Sequence, residues 1–600
     1  MTQEVPNINE SMSDMMDMAF KATEQFSQIL EQVTSRNTSE DDPAATVMHD
    51  FNDAFSEFSS KLMENPSLIV NQQMALMQNQ MKLWQHTALK FAGQESDPII
   101  EPDAHDRRFS DEEWSSNIIY DYLKQFYLLQ SKAANDMIDS VDDLSSTTKN
   151  KVDFLLRQYI NALSPSNFSG TNPEVVRKTL ETGGANLISG MEQMATDLKD
   201  SFGGLNIAMS DTSAFKVGRN IATTEGQVVY QNDLMQLIQY SPTTDKAFKR
   251  PLLVIPPFIN KYYILDLREK NSYLKWLVGQ GHTVFCISWV NPGPNLRNKE
   301  FKDYMHEGPL AALDTIGKIT GEKDVNAIGY CLGGTLLAAT QAYMKKKKDN
   351  RIKSATFLAT LIDFSDPGEI GVFINETAIS ALERQMNTLG YYDGRMMAFS
   401  FNLLRENDLF WSFFINNYLK GERPMAFDLL YWNTDGTNLP AATHSFYLRN
   451  MYLYNKLKEK NGIQLDGVDI DISQVDTPTY FLSLAKDHIA KWQSTYKGAK
   501  LFSGDVKFVL GGSGHIAGVV NPPADNKYGY WTADALPDDS QDWFKSASKN
   551  EGSWWTDWQQ WIEKSADKKV PARQPGSDKF KAIEAAPGLY ANQRIVDVIK

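Results

Sequence analysis

The sequence predicts an α/β protein with a mostly parallel sheet, helices on both faces, and an all-α region ahead of it. Two observations carry this. From about residue 206 onward, short apolar runs alternate with helical stretches, as crossover-connected parallel strands require. Before that point the chain shows helical periodicity and almost no strand pattern. We therefore divide it into a helical region at 1–205 and a sheet region at 206–600.

In the first region, residues 37–43 are polar and acidic and read as a loop. Val70, Met74, Met77, Met81, Trp84, Ala88 and Phe91 recur at alternating spacings of four and three, which places them on one helix face. That stripe allows two readings: packing against neighbouring helices, or an adaptable Met-rich surface for a partner or an apolar granule. The Met-rich opening (Met12, Met15, Met16, Met18) allows the same two. Further helices are expected at 117–141 and 151–163, ended by Ser164-Pro165-Ser166-Asn167.

In the second region, 227–230 and 234–240 read as an antiparallel pair. Residues 251–257 form an apolar run between prolines, as a buried parallel strand does. A helix at 271–279, a strand at 281–290 and a helix at 309–320 follow. The strand 325–329 turns sharply at Cys331 into a helix at 333–346, and 354–364 is the next strand. The last two are 477–484 and 506–510. The 112 residues between Phe364 and Thr477 show no clear core strand. We read 365–476 as a lid over the C-terminal sheet edge, where such folds bind ligands. The Pro-containing tail from about Ala566 is expected to be extended.

Composition narrows the function classes. With 42% apolar and 22% charged residues, a core is within reach and wholesale disorder is not expected. A net charge of −15 argues against nucleic acid as the main partner. The basic run Lys345 to Lys348 reads as a solvated helix C-terminus. Two cysteines suit a reducing compartment and no disulfide framework. No signal peptide and no membrane span are expected, so the protein reads as cytoplasmic.

Gly329-Tyr330-Cys331-Leu332-Gly333 has the form G-x-C-x-G between a strand and a helix. That context identifies a nucleophile elbow and, with it, the α/β-hydrolase fold. The glycines let strand and helix approach at a strained turn, and the helix N-terminus favours the thiolate. The Leu332 N–H is placed to hold an oxyanion. Triads on this fold run nucleophile, acid, His. Asp487 follows the strand at 477–484 and His515 follows the strand at 506–510, in that order. The loop Pro256-Pro257-Phe258-Ile259-Asn260-Lys261 is expected to supply a second oxyanion donor, with Ile259 N–H the candidate beside Phe258. Asn260 and His488 are expected to bind substrate. Cys286, mid-strand, reads as a buried inert thiol. No metal-ligand spacing appears, so no metal or cofactor is expected.

A thiol at this position suits acyl transfer. Exchange with a thioester is nearly balanced in free energy, and the acyl group stays activated until a hydroxyl arrives in a dry pocket.

These residues, together with Phe427-Asp428-Leu429-Leu430-Tyr431-Trp432-Asn433, Gly514-His515-Ile516-Ala517-Gly518, Asn521-Pro522-Pro523 and Gly552-Ser553-Trp554-Trp555, resemble the polyhydroxyalkanoate synthases of the single-subunit long type. Tyr120-Asp121-Tyr122-Leu123-Lys124-Gln125 and Ser164-Pro165-Ser166-Asn167-Phe168 extend the resemblance, which covers roughly 80–600. The resemblance implies a granule-associated acyltransferase. It would polymerise (R)-3-hydroxyacyl-CoA on Cys331 with release of CoA, the thioester being substrate and not cofactor. It also implies a homodimer and an N-terminal region linked to granules and their proteins. A thiol-type polyester depolymerase is the nearest alternative, and a non-catalytic granule coat is another.

Overall fold

The computed structural model describes residues 43–200 and 205–599, and the chain separates into two compact units. One comprises residues up to Met209 together with Phe401–Met425; the other comprises Ser210–Ser400 and Ala426–Lys600. The Met12, Met15, Met16 and Met18 cluster and residues 37–42 lie outside the described residues.

The first unit is helical. Among the described residues its longer helices are α1 (Pro43–Glu64), α2 (Pro66–Phe91), α3 (Ile118–Asp139), α4 (Ser146–Ala162), α5 (Pro173–Thr182) and α6 (Ala185–Asp200). Starts are written in the sequence. Asn117 caps α3 and Ser145 caps α4. Asn172 caps α5 with Pro173 behind it.

Asp121 on α3 is a buried hub. It accepts His86 Nε2 at 3.0 Å and Lys90 Nζ at 2.7 Å from α2, and pairs with Lys124 at 3.2 Å. Burial works against its charge, but Lys90, His86 and Lys124 outweigh burial and hold the carboxyl below its usual range. This hub decides which face of α2 is covered. Leu83 and His86 turn inward, while Val70, Met74, Met77, Met81, Trp84 and Phe91 stay exposed, Trp84 at 67%. Among the described residues the stripe is largely uncovered, with Trp84 meeting the Tyr122 ring of α3 edge-on at 6.3 Å between centroids. Spacing marks a face; the charge cluster opposite it sets the direction.

The second unit holds an 11-stranded sheet: β1 (Gly226–Gln231), β2 (Met235–Tyr240), β3 (Leu252–Ile255), β4 (Val284–Trp289), β5 (Val325–Tyr330), β6 (Ile352–Leu358), β7 (Thr479–Leu484), β8 (Val506–Gly511), β9 (Tyr530–Thr532), β10 (Ser548–Asn550) and β11 (Glu584–Ala585). The order across it is β10-β9-β8-β7-β6-β5-β3-β4-β2-β1-β11. From β4 to β8 across the centre all pairs are parallel, and the flanking pairs are antiparallel. Helices α7 (Tyr273–Gly279), α8 (Ala311–Thr320), α9 (Leu332–Lys346), α10 (Trp492–Ala499) and α11 (Trp554–Glu563) accompany it. Two large buried apolar clusters form this unit's core.

The central strands are buried along their whole length, which is why they read as continuous apolar runs. Strand β3 lies between β4 and β5, so the chain passes from one side of it to the other and leaves a crevice at its C-terminal end. The expected 354–364 strand starts and stops earlier, at Ile352–Leu358. The tail is not simply extended: β11 pairs with β1, and Lys569–Pro571 pairs with Lys246–Phe248.

The 365–476 insertion is divided between the units, with Phe401–Met425 in the first. Its remainder contributes the helices Glu376–Leu389 and Ala441–Tyr447 and a hairpin of Ile463–Leu465 with Val468–Ile470. Among the described residues, no helix is long and apolar enough to cross a membrane.

His282, just before β4, is buried and pairs with Gln559 Oε1 of α11 at 3.0 Å. Burial drives its imidazole down to about 4, against the Gln559 bond and Glu563. An unfolded chain takes up a proton below about pH 6.5 that the folded one refuses until about 4. Its contribution to stability is therefore complete above about 6.5 and lost as pH falls through that window. Between pH 7 and pH 5 the wild type should lose about 2 kcal/mol through this group. His282→Gln should lack that component in urea titrations, and equal slopes in both proteins would contradict it.

Candidate active site

Cys331 sits at the C-terminal end of β5, the strand that registers Gly329 against Ile255 of β3 and Phe357 of β6. Its backbone has φ 51° and ψ −120°, a strained conformation for a residue with a side chain. The strain is held by close packing. A Cβ on Gly329 would lie 2.5 Å from Gly334 Cα. One on Gly333 would lie 2.5 Å from Pro256 O and closer still to Ile255 O. Helix α9 thus rests directly on the end of β3, and no side chain fits between. The Cys331 N–H donates to Leu358 O at 2.9 Å, and Cys331 O accepts from Gly334 and Thr335 N–H.

His515 Nδ1 lies 2.6 Å from Asp487 Oδ2, and the Cys331 thiol is within hydrogen-bonding reach of the same imidazole. The structure therefore brings together the three residues that the sequence names for the triad. Burial disfavours charge on His515, but Asp487 and then Cys331 outweigh it and hold the imidazole well above its ordinary value. The Asp487 side chain is fully buried. Its Oδ1 accepts from Ile489 and Ala490 N–H, each at 2.9 Å. One oxygen is thereby fixed by the backbone and the other faces His515.

Tyr330, between Gly329 and Cys331 in the elbow, was given no role by the sequence. Its hydroxyl donates to His515 O at 3.1 Å and its ring stacks on the imidazole with centroids 5.7 Å apart. It ties the base to the nucleophile's own strand. Tyr447 and Tyr452, from the insertion, were also missed. Tyr447 donates to Thr335 Oγ1 on α9 at 3.2 Å. Burial raises both phenols, and the Tyr452 ring lies beside Tyr447 with centroids 5.8 Å apart. With Phe364 they form an aromatic cluster, Phe364 to Tyr452 being 5.1 Å between centroids. No motif marks them; only the fold brings them to α9.

Leu332 is the first residue of α9, so its N–H has no intrahelical acceptor. The loop after β3 is clamped by its carbonyls. Pro256 O accepts from Trp289 Nε1 and Phe258 O from Thr437 Oγ1. Ile259 O accepts from Thr437 N–H and Lys261 O from Trp432 Nε1. Among the described residues, the N–H groups of Phe258 and Ile259 have no acceptor within the chain. Asn260 bridges Gly436 in an isolated β contact. His488 is half-buried beside Asp487, but the partner of that carboxylate is His515. Cys286 is fully buried and its thiol is pushed well up by burial.

Comparisons with known proteins bear on the family. A model described as the poly-beta-hydroxybutyrate polymerase (PhaC) N-terminus matches residues 105–277, and an alpha/beta hydrolase fold model matches 265–522. A poly(3-hydroxyalkanoate) polymerase of Methylorubrum extorquens is 47% identical over 89% of this chain and 88% of its own length. The chain belongs to the poly(3-hydroxyalkanoate) polymerase family. The polymerase subunit PhaC of Rhizobium etli is 45% identical over 92% of this chain and 87% of its own. That of Cupriavidus necator is 41% identical over 82% and 83%. As a member of this polymerase family, the protein is an enzyme of acyltransferase type with an α/β-hydrolase fold.

Gly333→Ala should force helix α9 off the end of β3. The overpacking should cost about 1–3 kcal/mol of stability and displace the elbow from its triad partners. Polymerising activity should fall at least tenfold in the fraction that remains folded by circular dichroism. Activity within twofold of wild type would show that the elbow tolerates the added carbon.

Proposed function

We propose that the protein polymerises (R)-3-hydroxyacyl-CoA through a covalent acyl-Cys331 intermediate with release of CoA. The observation that carries the reading is the buried Asp487–His515 pair set against a cysteine at a strand-to-helix bend. His515 takes the proton from Cys331 Sγ, and the thiolate adds to the thioester carbonyl. Leu332 and Ile259 N–H stabilise the oxyanion. The bond to the CoA sulfur breaks, that sulfur receives the proton from His515, and the acyl group remains on Cys331. In the second half, His515 takes the proton of a 3-hydroxyl, whose oxygen attacks the acyl-Cys carbonyl. The C–S bond breaks, the Cys331 thiol is restored with that proton, and the polyester is longer by one unit. Asp487 orients the imidazole and stabilises its charge. The reaction calls for no cofactor beyond the thioester substrate itself. Tyr447, Tyr452 and Phe364 help keep water from the acyl-Cys, which favours polymer over hydrolysis.

The exposed stripe on α2 supports a second element of the reading: attachment of the enzyme to its apolar product, a polyester granule. We place its work at that surface, in a reducing compartment.

Cys331→Ala should abolish CoA release from 3-hydroxybutyryl-CoA, and Cys331→Ser should leave under one per cent. Undiminished release in Cys331→Ala would remove the acyl-enzyme. Ile259→Pro, which deletes one N–H, should lower kcat by about 10² to 10³. Unchanged kcat would move the second oxyanion donor elsewhere. For the surface, Met77→Asp combined with Trp84→Asp should shift protein from polymer particles to supernatant on centrifugation. Undiminished partition would exclude the stripe.

A further inference from the structure

We propose that the C-terminal segment is a strap that holds the oxyanion loop in register, and that Lys261 is the positioning residue pinning loop to strap. This deepens the reading that Ile259 N–H serves as an oxyanion donor, and rests on it. Lys261 lies two positions beyond Ile259 and is only 2% exposed. Its Nζ donates to Tyr590 O at 2.9 Å and to Gln593 O at 2.6 Å. Those carbonyls lie at the end of the short helix Gly588–Asn592, where orphan acceptors need partners. No carboxylate among the described residues forms an ion pair with Lys261. Burial lowers its ammonium to about 8, with Asp435 and Asp597 opposing from a distance. A cation kept in such a place contributes through its directed donors more than through charge neutralisation.

The strap is itself anchored on both sides of the pin. Before it, β11 pairs with β1, and Tyr590 N–H donates to Gln236 Oε1 at 3.1 Å. Its Tyr590 hydroxyl donates to Asn232 O at 2.7 Å. After it, the helix Ile595–Val598 presses on loops at the same end of the sheet. A Cβ on Gly293 would lie 2.8 Å from Val598 O, and one on Gly394 would lie 3.1 Å from Ile595 Cδ1. The chain terminus thus closes over the loops that follow β3 and β4. Lys261 reaches from the loop into that cover.

The test separates positioning from general packing. Alkylation of Cys331 by iodoacetamide needs the nucleophile but forms no oxyanion. Lys261→Met keeps the side-chain length and removes the donors. Its kcat should fall about tenfold or more, less than for deletion of a donor itself. KM and the alkylation rate should stay within twofold. A chain ending at Asn592, which removes the Gln593 acceptor, should behave alike. Wild-type kcat in Lys261→Met overturns the strap. So does a parallel fall of kcat and alkylation, which would assign Lys261 to packing. Failure of both variants to fold also overturns it, because a pin acting only on the loop leaves the core standing. If Ile259→Pro retains kcat, the donor assignment fails. If Ile259→Pro is impaired while Lys261→Met is not, only the strap fails.

Discussion

The site depends on the direct contact between helix α9 and the end of β3. Gly333 meets the Ile255 and Pro256 carbonyls with no room for a side chain, and Gly329 meets Gly334 in the same way. This contact permits the positive φ of Cys331 and lifts its sulfur above the sheet. It also ties the loop after β3 to the elbow, because that loop begins at the very carbonyls on which the helix rests. Cys331 and the loop proposed to carry an oxyanion donor are thus parts of one packing event.

Everything else at the site is fastened to that bend. Tyr330 carries its position to His515, and the backbone beyond Asp487 fixes the carboxylate. Tyr447 ties the insertion to α9 through Thr335. The loop holding Ile259 is gripped from three separate stretches: by Trp289, by Trp432 and Thr437, and by the tail carbonyls that its own Lys261 bonds. Electrostatic stabilisation of a transition state requires donors that do not reorganise, and this arrangement supplies that stiffness.

Much of this was legible in the sequence because parallel strands buried on both faces leave unbroken apolar runs. Elbow glycines leave a spacing, and a triad leaves its members at strand ends in a set order. Cys331, Asp487 and His515 were recoverable for that reason. Tyr447 and Tyr452 were not, because they come to α9 from an insertion with no period of its own. Lys261 was visible only as part of a motif, since what it binds lies more than 300 residues away. The short strands β9, β10 and β11 escaped because three residues or fewer make no pattern. The α2 stripe was found but not oriented, since its periodicity says nothing about the Asp121 cluster.

The manner in which Asp487 is held has a consequence for the proposed chemistry. One of its oxygens is taken up by two backbone amides and the other by the imidazole. A carboxylate so occupied is held in one orientation toward the ring. In the proposed chemistry both half-reactions then pass their protons through the open edge of one ring. Under the proposed chemistry the departing sulfur and the incoming alcohol would use that edge in turn.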